Sequence, residues 1–118
     1  MKRPQFFIFQ GSTPTLAFAL PYSIDVDDEV YATFSQCGQT VTEYTMNGTP
    51  ISPAPSGELT IDEDDDHCIH IDMSQDDTFL FEPGDCEVQL RVLKTSGAVD
   101  TLFPVSGAIG KAQKGTVI

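Results

Sequence analysis

Apolar and polar residues alternate one by one along much of this chain, and the longest such run is Cys86 to Val92. Cys86, Val88, Leu90 and Val92 fall on one side of it, and Glu87, Gln89 and Arg91 on the other. A side-chain period of two predicts a half-buried strand in an antiparallel sheet with one wet face. The same pattern puts Leu16, Phe18 and Leu20 on one face of Thr13–Leu20, and Val30, Ala32 and Phe34 on one face of Val30–Cys37. Gly38 breaks that second run and Gln39–Met46 resumes it, which predicts a hairpin. Ile69, Ile71 and Met73 point inward from His67–Met73, while Phe6–Gln10 and Ala98–Phe103 are shorter strand candidates. The expected core is therefore Phe18, Phe34, Ile69, Ile71, Val88, Leu90 and Val92.

Helix signals are scarce. Ser74-Gln75-Asp76-Asp77 resembles a capping box, with Asp where Glu or Gln is usual, and predicts one helical turn. Asn47–Gly57 holds three prolines and two glycines, so it is a long loop or an edge and not a core strand. Asp25–Glu29 and Asp62–Asp66 read as acidic turns, the latter solvated, and Gly107–Ile118 as a Gly-rich tail. Seven to eight short strands with one helical turn predict an all-β sandwich or barrel, one domain over residues 1–118.

Charge narrows the function classes. Eighteen acidic residues against six basic give a formal charge of −12. Nucleic acid is not an expected partner, because phosphate binding needs a basic stripe. Self-repulsion should oppose association and weaken as salt rises. Lys2, Arg3, Lys111 and Lys114 lie near the ends, so they can meet the acidic middle of a neighbouring copy. No segment reaches transmembrane length, and the Phe6–Phe9 run is too short for a signal peptide. The expected location is the cytoplasm of the producing cell, unless the chain leaves inside a larger particle. No membrane partner is expected.

Three cysteines, Cys37, Cys68 and Cys86, are an odd number without a CxxC, and each reads as a small buried hydrophobe on a strand. Cys68, His70 and Asp72 share one strand face in steps of about 6.5 Å. Donors so spaced along one strand cannot all reach a zinc ion, and a fourth ligand is missing, so no metal site is expected. The block Asp62-Glu63-Asp64-Asp65-Asp66 lacks the spacing of an EF-hand loop and reads as a charged turn, with at most weak cation binding. Asn47-Gly48-Thr49 matches a glycosylation acceptor but also a type I′ turn, which is the stronger reading. A catalytic Cys/His pair has no supporting context, and His67 lies on the opposite face from Cys68. No catalytic, cofactor-binding or metal residue is expected, and no cofactor.

Several blocks in order resemble small proteins encoded among tail and baseplate genes in phages and prophages of Gram-positive bacteria. These are Gly11-Ser12-Thr13-Pro14-Thr15-Leu16 with Phe18 and Leu20-Pro21, and Val30-Tyr31-Ala32-Thr33-Phe34-Ser35-Gln36 with Gly38 and Val41. Ser74-Gln75-Asp76-Asp77-Thr78 with Phe81, Val88-Gln89-Leu90-Arg91 with Gly97, and Lys114-Gly115-Thr116-Val117-Ile118 complete the set. The resemblance implies an immunoglobulin-like sandwich, similar to baseplate-protein N-terminal domains. It also implies a non-enzymatic structural or assembly role, in the host cytoplasm during assembly and then in the virion. The implied partners are other tail or baseplate proteins and another copy of the chain. Asn47–Gly57 and Asp62–Asp66 fall outside the resemblance. The alternative is a stand-alone ligand-binding module of carbohydrate or adhesin type, which would need exposed aromatics or a calcium loop; Tyr22, Tyr31 and Tyr44 are the only tyrosines.

Overall fold

The alternating run around Leu90 becomes the central strand of the larger of two sheets. The computed structural model describes residues 3–118; the Lys2 cation lies outside them. In chain order the elements are β1 Phe6–Phe9, β2 Thr15–Ala19, β3 Glu29–Gln36, β4 Gln39–Met46, β5 Glu58–Ile61 and β6 Cys68–Asp72. A helical turn, α1 Gln75–Thr78, precedes β7 Gly84–Leu93, β8 Val99–Thr101 and β9 Val105–Gly110. One sheet runs β1-β9-β7-β3-β4, with β8 also paired to β7, and faces a second sheet of order β2-β6-β5. This is an all-β sandwich with the strand layout of an immunoglobulin-like domain.

The seven residues expected in the core are all buried: Phe34, Ile69, Ile71, Val88 and Val92 completely, Phe18 and Leu90 nearly so. Phe34 is the hub. Its ring meets Phe6, Tyr44 and Phe81 edge-on at centroid distances of 6.1, 5.8 and 5.6 Å. Such T-shaped pairs each add about 0.5–1.5 kcal/mol beyond area burial. The capping box is also present: Ser74 Oγ accepts from the Asp77 amide at 3.1 Å, and the Asp77 carboxylate accepts from the Ser74 amide.

Several details depart from the sequence reading. Among the described residues the strands number nine, because the Gly-rich tail begins as β9, and the sandwich is not wholly antiparallel, because β1 pairs with β9 in parallel. Glycine is needed there. The Phe6 ring lies over Gly107 where a Cβ would stand. Cys37 is no buried hydrophobe: Cys37 and Gly38 both have positive φ, 51° and 77°, and form the exposed two-residue turn of the β3–β4 hairpin. Cys68 is half-buried, and only Cys86 fits the expectation for all three. Asn47 has φ 63°, yet Asn47-Gly48 closes no hairpin, since β4 and β5 belong to different sheets. Its amide instead donates to the Val26 and Asp28 carbonyls at 2.6 and 2.9 Å.

Candidate functional site

The two lateral edges of the sandwich differ in what holds them. Along the β4–β5 edge the Pro-rich loop crosses between the sheets and is pinned by Asp77, which is 2% exposed. One Asp77 oxygen accepts from Tyr44 Oη at 2.7 Å and the Gly57 amide at 2.9 Å, and the other accepts from the Ser56 amide at 2.9 Å. Burial pushes this carboxyl's pKa up, but the hydrogen bonds from Tyr44, Ser56, Gly57 and Ser74 outweigh it, and the net shift is downward. Tyr44 moves the other way, raised by burial and by donating to Asp77.

A second buried carboxylate, Asp28, locks the acidic turn before β3. Its oxygens accept from Lys94 Nζ at 2.6 Å and from the amides of Asp25 and Thr95, both at 2.9 Å. Burial again raises the pKa, and the Lys94 and backbone hydrogen bonds with the Lys94 charge bring it below the ordinary value. Asp28 and Lys94 stand in the wall of a cavity of about 660 Å³, but the Asp28 side chain is fully buried behind its hydrogen bonds. Both act as structural ties.

At the opposite edge β1 and β2 are the outermost strands of their sheets. Alternation sends Phe6 and Ile8 into the core and leaves Phe7 60% exposed. Between the strands runs a groove of about 540 Å³, lined by Phe6, Phe7, Leu16, Phe18, Leu102 and Phe103 among others. Phe103, in the short link between β8 and β9, is 93% exposed. Two strand edges with backbone groups free to pair thus flank an apolar groove rimmed by aromatic rings.

Cys68, His70 and Asp72 share the outer face of β6, as the alternation predicts, and do not converge on one point. Asp72 does not join Cys68 and His70; its Oδ1 accepts from Thr15 Oγ1 at 2.6 Å across the β2–β6 pair. Asp62 takes its place. Its Oδ2 lies 2.9 Å from His70 Nε2, and the donor atoms of Asp62, Cys68 and His70 all lie within 4.8 Å of one another. Burial and then the nearby carboxylates Asp62 and Asp65 raise the Cys68 thiol pKa. Asp62–Asp66 is the β5–β6 turn, ordered by its own side chains: Asp62 Oδ1 accepts from the amides of Asp64 and Asp65, and Asp65 Oδ1 from that of His67. His67 Nδ1 sits 2.9 Å from Asp66 Oδ1 in solvent. Cys86 is buried and its thiol is pushed up to about 11, so it is not a poised nucleophile.

All three tyrosine hydroxyls are committed internally, Tyr22 to Asp100, Tyr31 to Glu29 and Tyr44 to Asp77. The exposed aromatics are phenylalanines: Phe7, Phe9 and Phe103. Among the described residues no helix is long and apolar enough to cross a membrane.

No protein-family model matches the chain, and no curated protein does. Solved structures do. CopC from Methylosinus trichosporium OB3b is 12% identical with a TM-score of 0.51, the match covering 93% of this chain and 89% of that one. The first Ig-like domain of human CD48 antigen is 14% identical over 100% of this chain and 94% of its own, with a TM-score of 0.40. The V domain of amphioxus IgVJ-C2 is 14% identical over 88% of this chain and 98% of its own, with a TM-score of 0.36. At 12% identity the likeness to CopC concerns the fold alone.

Proposed function

We propose that this chain is a non-enzymatic structural or assembly component of a phage or prophage tail or baseplate, acting through protein–protein contacts at the open β1–β2 edge. The observation that carries the contact surface is the groove between the two outermost strands, rimmed by the exposed rings of Phe7 and Phe103. Exposed large aromatics beside unpaired strand edges favour a partner that adds an extended segment and inserts apolar side chains. The phage setting rests on the ordered sequence blocks that resemble tail- and baseplate-associated proteins.

Partners are other tail or baseplate proteins and a second copy of the chain. Arg3, Lys111 and Lys114 are exposed near the ends, where they can meet the acidic surface of a neighbour. Against that attraction stands a net charge of −12, so repulsion between copies dominates and association strengthens as salt rises. The chain would act in the host cytoplasm during assembly and then in the particle.

The experiment is to tag the chain in the prophage that encodes it, induce particles, and combine immunogold microscopy with capture of the products of adjacent genes. Labelled tails or baseplates with a captured tail protein are expected. Particles free of label, together with no binding to any neighbouring tail protein, would overturn the reading.

A further inference from the structure

Cys68 and His70 alternate on β6, so their side chains leave the same face of the smaller sheet. Two donors on one strand make no site. The third comes from across the ladder: the Asp62 amide donates to the Cys68 carbonyl at 2.9 Å, which continues the β5–β6 register past Ile61↔Ile69. Directly opposed residues have Cβ atoms about 4.5–5.5 Å apart, close enough for their side chains to converge. We propose that Asp62, Cys68 and His70 bind one divalent transition-metal ion of the zinc class, with a fourth coordination position open to solvent.

The geometry supports convergence on a small ion. Bonds of about 2.0–2.3 Å in a tetrahedron put ligand atoms roughly 3.3–3.8 Å apart. The three donors already lie within 4.8 Å of one another, so modest side-chain rotations suffice. The Asp62 carboxylate is already oriented, because its Oδ1 is occupied by the Asp64 and Asp65 amides, which aims Oδ2 at His70. Such outer contacts fix the direction of a metal-binding carboxylate. The Cys68 thiol makes only a long contact of 3.7 Å to the Ile69 carbonyl. On the flanking strand the register partners of His70 and Cys68 are Ala17 and Ala19, whose methyl groups leave the approach open.

Donor chemistry narrows the ion. One thiolate, one imidazole and one carboxylate suit zinc or cobalt(II), whereas calcium and magnesium prefer all-oxygen shells. The adjoining turn Asp62–Asp66 adds negative potential that draws cations in. Binding is a substitution without redox change: the thiol proton leaves to solvent as the Sγ–metal bond forms, and the neutral His70 ring binds through Nε2 with its one proton on Nδ1.

The test uses the full chain, reduced and stripped with chelator. Cobalt(II) titration should develop a thiolate-to-cobalt charge-transfer band at one equivalent, and zinc should abolish it. Zinc affinity, measured by competition with a chromophoric chelator, should fall about tenfold or more in Asp62→Asn, Cys68→Ser and His70→Gln. Asp72→Asn and His67→Gln should leave it unchanged. Absence of the thiolate band in the unaltered chain would overturn the proposal without reliance on any variant. So would zinc binding that survives Cys68→Ser and is lost in His67→Gln, which would place the ion on the exposed turn.

Discussion

At the β4–β5 edge the sheets are tied through a carboxylate in the interior, whereas at the β1–β2 edge they part over apolar side chains that reach solvent. Asp77 draws Tyr44, Ser56, Gly57 and Ser74 onto itself, so the end of the Pro-rich loop is pinned to the interior. Both edges end in outermost strands, β4 and β5 on one side and β1 and β2 on the other, but only the β1–β2 edge pairs them with the exposed rings of Phe7 and Phe103. One edge is tied across the two sheets by a buried carboxylate; the other carries an apolar groove rimmed by exposed rings. Stability and contact function are therefore expected to separate by edge.

The sharpest challenge to that separation is at the hub the edges share. Phe34 touches Phe6 on the open side and Tyr44 on the closed side. Phe34→Ala should cost about 3–5 kcal/mol, read as a fall in the urea midpoint. A change under about 1 kcal/mol would mean the edges do not share one core.

Next in size is Asp77→Ala, which strips the acceptor from a buried tyrosine hydroxyl and three amides. Each buried donor so stranded costs about 1–3 kcal/mol, and loss of the reciprocal cap adds to it. The measurement is again chemical denaturation, with protease nicking within Asn47–Gly57 as the local readout. A variant as stable and as protease-resistant as the parent would show that the loop is held by something else.

Acid provides a graded version of the same test. Asp77 and Asp28 both titrate below their ordinary value of 3.8 in the folded protein. A carboxyl depressed by folding contributes stability that is complete above the unfolded pKa and is lost as pH falls through the folded one. Stability should thus drop progressively below about pH 4. Neutralising the other carboxylates relieves self-repulsion and acts the opposite way, but equally in parent and variant. Asp77→Asn should lose less on acidification than the parent; parallel profiles would mean that Asp77 does not tie the closed edge.

What the sequence made legible followed from local periodicity. Every face assignment on β2, β3, β6 and β7 holds, because a strand's alternation is written in consecutive residues. Partners distant in sequence were not legible. β9 was hidden by glycines that disfavour strands in isolation, and its reason for them, the Phe6 ring over Gly107, comes from the far end of the chain. Asp77 read as a cap and is one, but Tyr44 and Ser56 reach it from 33 and 21 residues away. For the donor cluster, a period of two selected Asp72 along the strand. The partner across the ladder, Asp62, needed the β5–β6 register; the acidic turn between two strands was the available hint.

The smallest expected effect on stability belongs to the open edge, where contact function should be concentrated. Phe7→Ser with Phe103→Ser removes two solvent-facing rings, so the melting temperature should change little, each substitution being worth about 0.5 kcal/mol or less. The decisive measurement is sedimentation of this double variant beside the parent at low and at high salt, and with any partner that capture on the parent identifies. The parent should associate, and the equally folded variant should not. Equal association of the two would refute the division of labour between the edges and move the contact surface away from β1 and β2.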